Sequence, residues 1–282
     1  MKHRIPVNGN HGVKKEEYMK KLIASLLALV MMISMTACSK EQAAAGDSLS
    51  RIKEKGTIVI GLEGDWAPWS FHDDGNALVG FDTEVGQKIA EKLGVKAEIV
   101  EGEWDGLFAG IDAGRYDLVI NGVEISEDRA AKYDFSDPYA FIRTALIVRE
   151  DETGIQSFED LKGKTTANSI ASTYMVLAES YGATVSGVDT LDETIEMVLQ
   201  GRVDATLNAE VSYLDYLREH PDAPLKIVAV TEDASNVCIP MKKGAGSVLL
   251  REAVNKAITE LREEGILSEL SVKYFGSDIT NP

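Results

Sequence analysis

The sequence is poor in the residue types that most often carry catalysis and metal binding. It has two cysteines and four histidines in 282 residues, and beyond Cys38 the histidines are His72 and His220. Neither histidine lies in a Ser-His-Asp or metal-ligand pattern, and the chain has no GxSxG, HExxH or P-loop motif. These absences argue against an enzyme of those types, and we expect neither a cofactor nor a metal.

Positive charge is scarce outside the N-terminus. Residues 1–37 carry six Lys or Arg and two Glu, a net charge of +4, so the rest of a chain whose formal net charge is -17 carries -21. Nucleic-acid binding requires a basic face, and adsorption to anionic lipid requires clustered Lys and Arg. The composition therefore argues against both partners.

Long hydrophobic runs are also missing. Residues 22–35 are apolar and follow Lys20 and Lys21, but the run is short against the about 20 residues that span a membrane. A charged segment, an apolar segment and small residues in this order predict a secretory signal over residues 1–37, with the true start at Met19. An N-terminal membrane anchor is the alternative.

The end of this signal, TAC at residues 36–38, resembles a bacterial lipobox. The resemblance implies that Cys38 is lipid-modified and becomes the mature N-terminus, followed by a polar, flexible, lipidated tether over residues 38–50. The membrane would then be contacted through this lipid anchor. Cys238 is left alone, so no intramolecular disulfide can form.

Apolar strands and amphipathic helices alternate beyond the tether. In one predicted helix Phe81, Val85, Ile89 and Leu93 recur four apart and form one apolar stripe, which ends at Gly94. The same alternation resumes after residue 150. It predicts an α/β fold with mainly parallel sheets.

Two segments share the pattern G-R-x-D-x-x-x-N, at residues 114–121 and 201–208. Each follows a predicted helix and opens a predicted strand, which suggests two lobes of similar construction. Asn121 and Asn208 then stand at the carboxyl ends of their strands, where ligands of open α/β sheets bind. Two such ends that face each other would form a cleft.

The chain is expected to cross between these lobes twice, near residues 141–144 and 235–238. Lobe 1 is predicted to comprise residues 51–141 plus 237–282 and lobe 2 residues 142–236, joined by a two-strand hinge that closes around a ligand. The segment after the second crossing is predicted to be an amphipathic helix that packs on lobe 1. Its apolar face is predicted to contain Val248, Leu249, Ala253, Ala257, Ile258 and Leu261.

Four segments carry a resemblance to a known family: IGLEGDWAPWSF (60–71), WDGLFAGIDAGRYDLVINGVEISEDRAAKYDFSDPY (104–139), SFEDLKGKT (157–165) and LREEGILSELSVKYFG (261–276). They resemble the family 3 extracellular solute-binding proteins, the polar-amino-acid receptors of ABC importers, over residues 47–276. The resemblance implies a periplasmic-binding-protein-like fold without catalysis. It also implies an extracytoplasmic location, in the periplasm or on the outer face of the cell membrane, and delivery of an amino acid to a permease and its ATPase.

The resemblance implies a clamp for the ligand α-carboxylate. Its Arg belongs to an S/T-x-x-R turn, which falls on residues 126–129 here, and its other half is a Ser or Thr at a helix start, here Ser172 and Thr173. The planar guanidinium of Arg129 can grip a carboxylate from two sides, and a helix start favours an anion. A surface ion pair of Arg129 and ordinary capping of the helix are the alternatives.

The ammonium side departs from the family pattern. Many members carry an Asp after the second-lobe strand, where this sequence has Ala209, and Glu124 replaces a common Ser or Thr. An unpaired ammonium in a closed cleft is costly. We therefore predict that Glu124 binds the ammonium with help from Asn208; the alternative is that Glu124 is a solvated turn residue.

The remaining predicted ligand contacts are Glu63, Trp66, Asn121 and Gly122, whereas Trp69 and Trp104 are expected in the core. Glu63 together with Glu124 favours a basic or amide-bearing amino acid, or cystine, over an acidic one. Two other functions stay open. One is a dehydratase-like enzyme on the same fold, with a catalytic acid among Glu63 and Glu124, and the other is a ligand-sensing receptor module.

Overall fold

The computed structural model describes residues 47–282, which form one compact unit. The predicted signal, the lipidation site at Cys38 and most of the predicted tether lie outside the described residues. The last three tether residues, 48–50, are not a flexible segment but the first turn of helix α1 (Ser48–Lys55), which the Asp47 carboxylate caps by accepting a hydrogen bond from Ser50 N at 2.9 Å. Within residues 47–282, none of the helices has the length and apolar character needed to cross a membrane.

The first lobe is built on a parallel sheet of three strands in the order β5–β1–β6, with a small antiparallel sheet β2–β3–β4 beside it. The predicted stripe on α2 is confirmed, since all four of its residues are buried and Gly94 ends the helix at φ 70°. The elements are β1 (Thr57–Leu62), β2 (Asp65–Trp66), β3 (Ser70–His72), β4 (Leu78–Val79), α2 (Phe81–Leu93), β5 (Lys96–Glu101), α3 (Trp104–Asp112), β6 (Leu118–Val119), α4 (Glu127–Lys132), β7 (Tyr133–Phe135) and β8 (Ala140–Ile142).

The second lobe is built on a five-stranded sheet in the order β11–β10–β12–β9–β13. Strands β11, β10 and β12 are parallel, as predicted, whereas β9 is antiparallel to both of its neighbours. The elements are β9 (Thr144–Arg149), a 3-10 turn (Phe158–Leu161), β10 (Thr165–Ser169), α5 (Thr173–Ser180), β11 (Thr184–Val188), α6 (Leu191–Leu199), β12 (Ala205–Ala209), α7 (Glu210–Glu219) and β13 (Leu225–Val230).

Two antiparallel strands connect the lobes: β8 pairs with β14 (Ser235–Val237), and β15 (Pro240–Lys242) then pairs with β7. The α/β architecture of two lobes with a two-strand hinge is therefore confirmed. The predicted lobe boundaries fall within β8 and β14. Buried Cys238 follows β14, and burial raises the pKa of its thiol to about 12.

The C-terminal segment returns to the first lobe, where α8 (Val248–Glu263) and α9 (Ile266–Phe275) both pack on α2. Two details of the prediction were wrong. The segment is two helices, because the chain breaks at Gly265 with φ 78°. Leu249 is 47% exposed, because the buried stripe begins one residue later at Leu250, and one residue is about 100° of rotation around a helix.

The repeated G-R-x-D-x-x-x-N pattern has the same structure in both lobes. Gly114 and Gly201 each follow a helix in the left-handed region, at φ 70° and 67°. The Asp117 carboxylate accepts a hydrogen bond from Val59 N of β1 at 2.9 Å, and the Asp204 carboxylate accepts one from Thr165 N of β10 at 2.8 Å. Each Asp thus fastens the strand it precedes to the strand beside it.

Candidate functional site

A cavity lies between the two lobes and encloses about 520 Å³ of space free of protein atoms, part of it open to solvent. All nine residues predicted to bind the ligand line it: Glu63, Trp66, Asn121, Gly122, Glu124, Arg129, Ser172, Thr173 and Asn208. It is also lined by residues that were not predicted to bind, namely Asp65, Trp104, Ser169, Tyr174, Asp189, Thr190 and Leu191.

The Arg129 side chain is held flat at one end of this cavity. Its Nη1 donates to the Glu124 carbonyl at 2.8 Å and its Nη2 donates to the Ala171 carbonyl at 3.1 Å. The rings of Trp104 and Phe108 lie 5.2 and 5.4 Å from the guanidinium carbon. Burial lowers the pKa of Arg129, which the Glu124 carboxylate opposes. Within residues 47–282 the bonds to the two carbonyls are the two hydrogen bonds that the five side-chain N–H donors of Arg129 make, so three donors are open to an anion.

The start of α5 faces this guanidinium. Ser172 caps the helix, with its hydroxyl oxygen accepting from Met175 N at 3.1 Å, so its own hydrogen stays available to a ligand. Capping and ligand binding are therefore compatible. Thr173 Oγ1 donates across the cleft to Glu124 Oε1 at 2.5 Å.

Glu124 is not a solvated turn residue, because it is only 5% exposed and its backbone bridges to Val237. Tyr174 stands next to its carboxylate; burial first, and then Glu124, raise the pKa of Tyr174 well above its usual value. The Tyr174 hydroxyl is buried and has no hydrogen-bond partner within residues 47–282. Asn208 Oδ1 accepts from Ala209 N at 2.8 Å, and because an amide oxygen has a second lone pair, both this oxygen and the NH2 group can bind a ligand.

Glu63 lies buried elsewhere along the cavity wall and is paired with Asn121 in both directions. Asn121 Nδ2 donates to Glu63 Oε2 at 2.5 Å, and Glu63 N donates to Asn121 Oδ1 at 2.8 Å. Burial raises the pKa of Glu63 to about 7, with the Asn121 bond opposing the shift. Burial also raises the pKa of Asp65, and the acidic side chains around it, Asp192 among them, add to that shift.

Gly122 contributes shape rather than a donor. Its amide donates to the buried Asp82 carboxylate at 2.5 Å, and a Cβ on it would lie 2.6 Å from the Trp66 ring. Trp66 can therefore lie over this backbone and stack on the fully buried Trp69, with 5.4 Å between ring centroids. Trp69 is in the core, as predicted.

The prediction that Trp104 lies in the core holds only in part: its half-buried ring packs against the core cluster of Leu107 and Ile111, and it also lines the cavity. The sequence held a signal for this position: Trp104 opens the helix that follows β5, at the same sheet edge as Asn121. The start of α6 with Asp189 carried the same signal, since α6 follows β11 as α3 follows β5, whereas Asp65, the first residue of β2, did not. Their approach to the cavity depends on the packing of the two lobes.

Residues 58–277 match the model of the bacterial extracellular solute-binding proteins, family 3. The chain belongs to this family. It is 38% identical over 270 residues to the L-cystine-binding protein TcyA of Bacillus subtilis (strain 168), an alignment that covers 93% of this chain and 100% of TcyA.

Two solved structures are also similar to this family 3 protein. An ancestral arginine-binding protein bound to arginine is 35% identical with a TM-score of 0.73, over 78% of this chain and 99% of that one. The L-cystine solute receptor of Neisseria gonorrhoeae, unliganded and open, is 39% identical with a TM-score of 0.58, over 83% of this chain and 99% of that one.

Proposed function

We propose that this family 3 protein captures a polar amino acid that carries a second cationic group and delivers it to the permease and ATPase of an ABC importer. One observation supports this ligand class most. The cavity lining contains one cation, Arg129, and four carboxylates, Glu63, Asp65, Glu124 and Asp189. In the part of the chain that the structure describes, no Lys or Arg forms a salt bridge with any of the four. A cationic ligand would offset this excess of negative charge.

The ligand head is proposed to bind between Arg129 and Glu124. The free N–H groups of Arg129 and the start of α5 would take the α-carboxylate, and the Glu124 carboxylate would take the α-ammonium. Trp66, with Gly122 beneath it, would form a wall against the ligand stem. Asn208 would donate from its NH2 group to a ligand oxygen.

The second cationic group is proposed to bind near Glu63, with Asp65 from the first lobe and Asp189 from the second. We propose L-cystine as the ligand, since it has two ammonium groups and the 38% identity to TcyA covers nearly the whole chain. Its second carboxylate would lie at the start of α6, where Thr190 and Leu191 line the cavity, and would use the N–H groups beyond Thr190, because those of Asp189 and Thr190 already donate to the Glu193 carboxylate. The basic amino acids fit the same charge pattern without using that helix start.

Calorimetric titration with L-cystine, L-arginine, L-glutamine and L-glutamate tests this proposal. We expect L-cystine to bind tightest and L-glutamate to bind weakest, because the carboxylates repel its side chain. Asp65→Asn and Asp189→Asn should each weaken L-cystine and L-arginine but hardly change L-glutamine, with Asp222→Asn, an exposed site outside the cavity, as the matched control. Tighter binding of L-glutamate than of the cationic ligands would contradict the proposal.

We also propose that the protein is not an enzyme. Its similar relatives are binding proteins, and within residues 47–282 the cavity lining includes no His or Cys. Glu63, with its raised pKa, is the one group in that lining suited to proton transfer at neutral pH. Candidate ligands, and the cyclic phenylalanine precursors that a dehydratase would consume, should be recovered unchanged by NMR after prolonged incubation.

The location is proposed to be the outer side of the cell membrane, through a lipid on Cys38 that follows the signal over residues 1–37. The lobes proposed above, residues 51–141 plus 237–282 and residues 142–236, would extend from this anchor. The TAC sequence and the extracellular family support this proposal. Cys38→Ala should release the protein or leave it unprocessed, and a cleaved variant that still partitions into detergent would contradict it.

A further inference from the structure

One short segment of the second lobe, residues 170–173 at the start of α5, is hydrogen-bonded to three side chains of the first lobe. We call it the cross-lobe segment. Trp104 Nε1 donates to the Ile170 carbonyl at 2.9 Å, Arg129 Nη2 donates to the Ala171 carbonyl at 3.1 Å, and Glu124 accepts from Thr173. Ala171 holds a left-handed backbone conformation, φ 57°, that aims these carbonyls across the cleft.

The bond from Trp104 differs from the other two. Arg129 and Glu124 carry the charges proposed to hold the ligand head, so a ligand can compete for their bonds. The indole N–H of Trp104 and the Ile170 carbonyl are both protein groups, and neither belongs to the proposed ligand contacts. Their bond therefore stabilises the closed lobes independently of the ligand. The same indole ring also lies against the Arg129 guanidinium, at 5.2 Å.

We propose that Trp104 is a positioning residue with two roles: its ring orients Arg129 for the ligand carboxylate, and its N–H latches the lobes at Ile170. A latch that needs no ligand raises the closed fraction of the free protein. The apparent dissociation constant equals the intrinsic constant divided by the fraction of free protein in the closed, binding-competent state. The latch therefore raises the affinity for every ligand by the same factor. This inference extends the proposed function, since it assumes that closure completes the site.

Trp104→Phe tests the latch, because it keeps a ring against Arg129 and deletes the N–H. Ile170 is 41% exposed, so water can satisfy its carbonyl in the variant. We expect small-angle scattering to give a larger radius of gyration for the free variant than for the free parent. We also expect L-cystine and L-arginine to weaken by the same factor, about two- to tenfold for one net hydrogen bond, through faster dissociation.

Phe108→Leu is the matched control, since it removes the other ring beside Arg129 without touching a bond between the lobes. It should weaken the ligands while the radius of the free protein stays at the parental value. A parental radius in free Trp104→Phe would overturn the latch, and unequal weakening of the two ligands would make Trp104 a direct ligand contact instead. Scattering of the free protein needs no ligand, so it tests the latch even if the proposed function is wrong. The proposed function would fail separately, if neither ligand bound the parent. Circular dichroism of both variants verifies folding.

Discussion

At the residue scale, four neighbouring groups fix the position of the Arg129 guanidinium. Two aromatic rings confine the plane of its guanidinium, and two backbone carbonyls, from Glu124 and Ala171, set its direction. A planar group held in this way presents its remaining N–H donors in one orientation. Lys has neither the plane nor the fork, so it could not use the same surroundings.

Replacement of Arg129 should therefore remove most of the affinity. We expect Arg129→Ala to cost about 2–5 kcal/mol of binding free energy, roughly thirtyfold or more in affinity, because a buried charge pair loses one partner. Arg129→Lys should lose much of the same affinity. Calorimetry measures the loss, and circular dichroism verifies folding. A folded Arg129→Ala that binds within threefold of the parent would show that Arg129 lies outside the ligand contacts.

Glu63 should make ligand binding depend on pH. Burial raises its pKa to about 7 in the free protein, so the carboxyl is largely protonated below neutral pH. A ligand cation nearby would stabilise the ionised form and lower this pKa, so binding releases a proton. Affinity for L-arginine should accordingly rise as pH increases towards about 7 and then level off.

Calorimetry from pH 5 to pH 8 tests this dependence, with the proton release measured in buffers of different ionisation enthalpy. Glu63→Gln should flatten the pH profile, whereas Asp222→Asn should keep it. A Glu63→Gln profile as steep as that of the parent would assign the dependence to another group.

At the element scale, the shared order of strands and helices in the two lobes explains where the cavity lies. Helices α3, α5, α6 and α7 each begin where a strand ends, and α4 begins a short turn after β6. Helix starts and strand ends therefore collect along one edge of each sheet, where the repeated Asn121 and Asn208 stand. The cavity is the space between those two edges.

The two Asp residues of the repeated pattern should contribute alike to stability. Asp117→Ala and Asp204→Ala each remove the carboxylate that accepts a strand N–H, at 2.9 and 2.8 Å. We expect each to lower the free energy of unfolding by about 1–3 kcal/mol, since the N–H loses a charged acceptor. Urea denaturation measures the change, with Asp222→Ala as a surface control. Destabilisation by one variant and not the other would mean that the two positions are not equivalent.

At the scale of the whole molecule, the two-strand hinge predicts that the lobes close on a bound ligand. The lobes are joined by two paired strands, and the ligand groups come from both sides, so a bound ligand should draw the lobes together. We expect saturating L-cystine to lower the radius of gyration by small-angle scattering. The decrease should be larger in Trp104→Phe, whose free form is more open. An unchanged radius in both proteins at saturation would count against closure about residues 141–144 and 235–238.

The sequence by itself determined the order of the elements, because apolar periodicity, capping residues and glycine stops are local properties. It also placed nine residues at the cavity, mostly through the resemblance to the family 3 proteins, and for Asn121 and Asn208 because the strand ends of an α/β fold collect at one sheet edge. The exposure of Leu249 was not predicted, because a shift of one residue along a helix is enough to move a side chain out of the buried stripe. Tyr174 and Asp189 stand at the starts of α5 and α6 and could have been predicted because helix starts collect at that edge, whereas nothing local marks Asp65 as facing a cleft.

Tertiary structure alone decided what those residues meet across the cleft. Whether Trp104 packs in the core or against Arg129, and whether Glu124 faces solvent or Thr173, depends on how two sheets joined by a thin hinge are turned toward each other. Local sequence does not encode that angle, which is set by many contacts between residues far apart in the chain. The prediction of a cationic ligand rested on two residues, Glu63 and Glu124, whereas the bond from Trp104 to Ile170 required the two lobes in place.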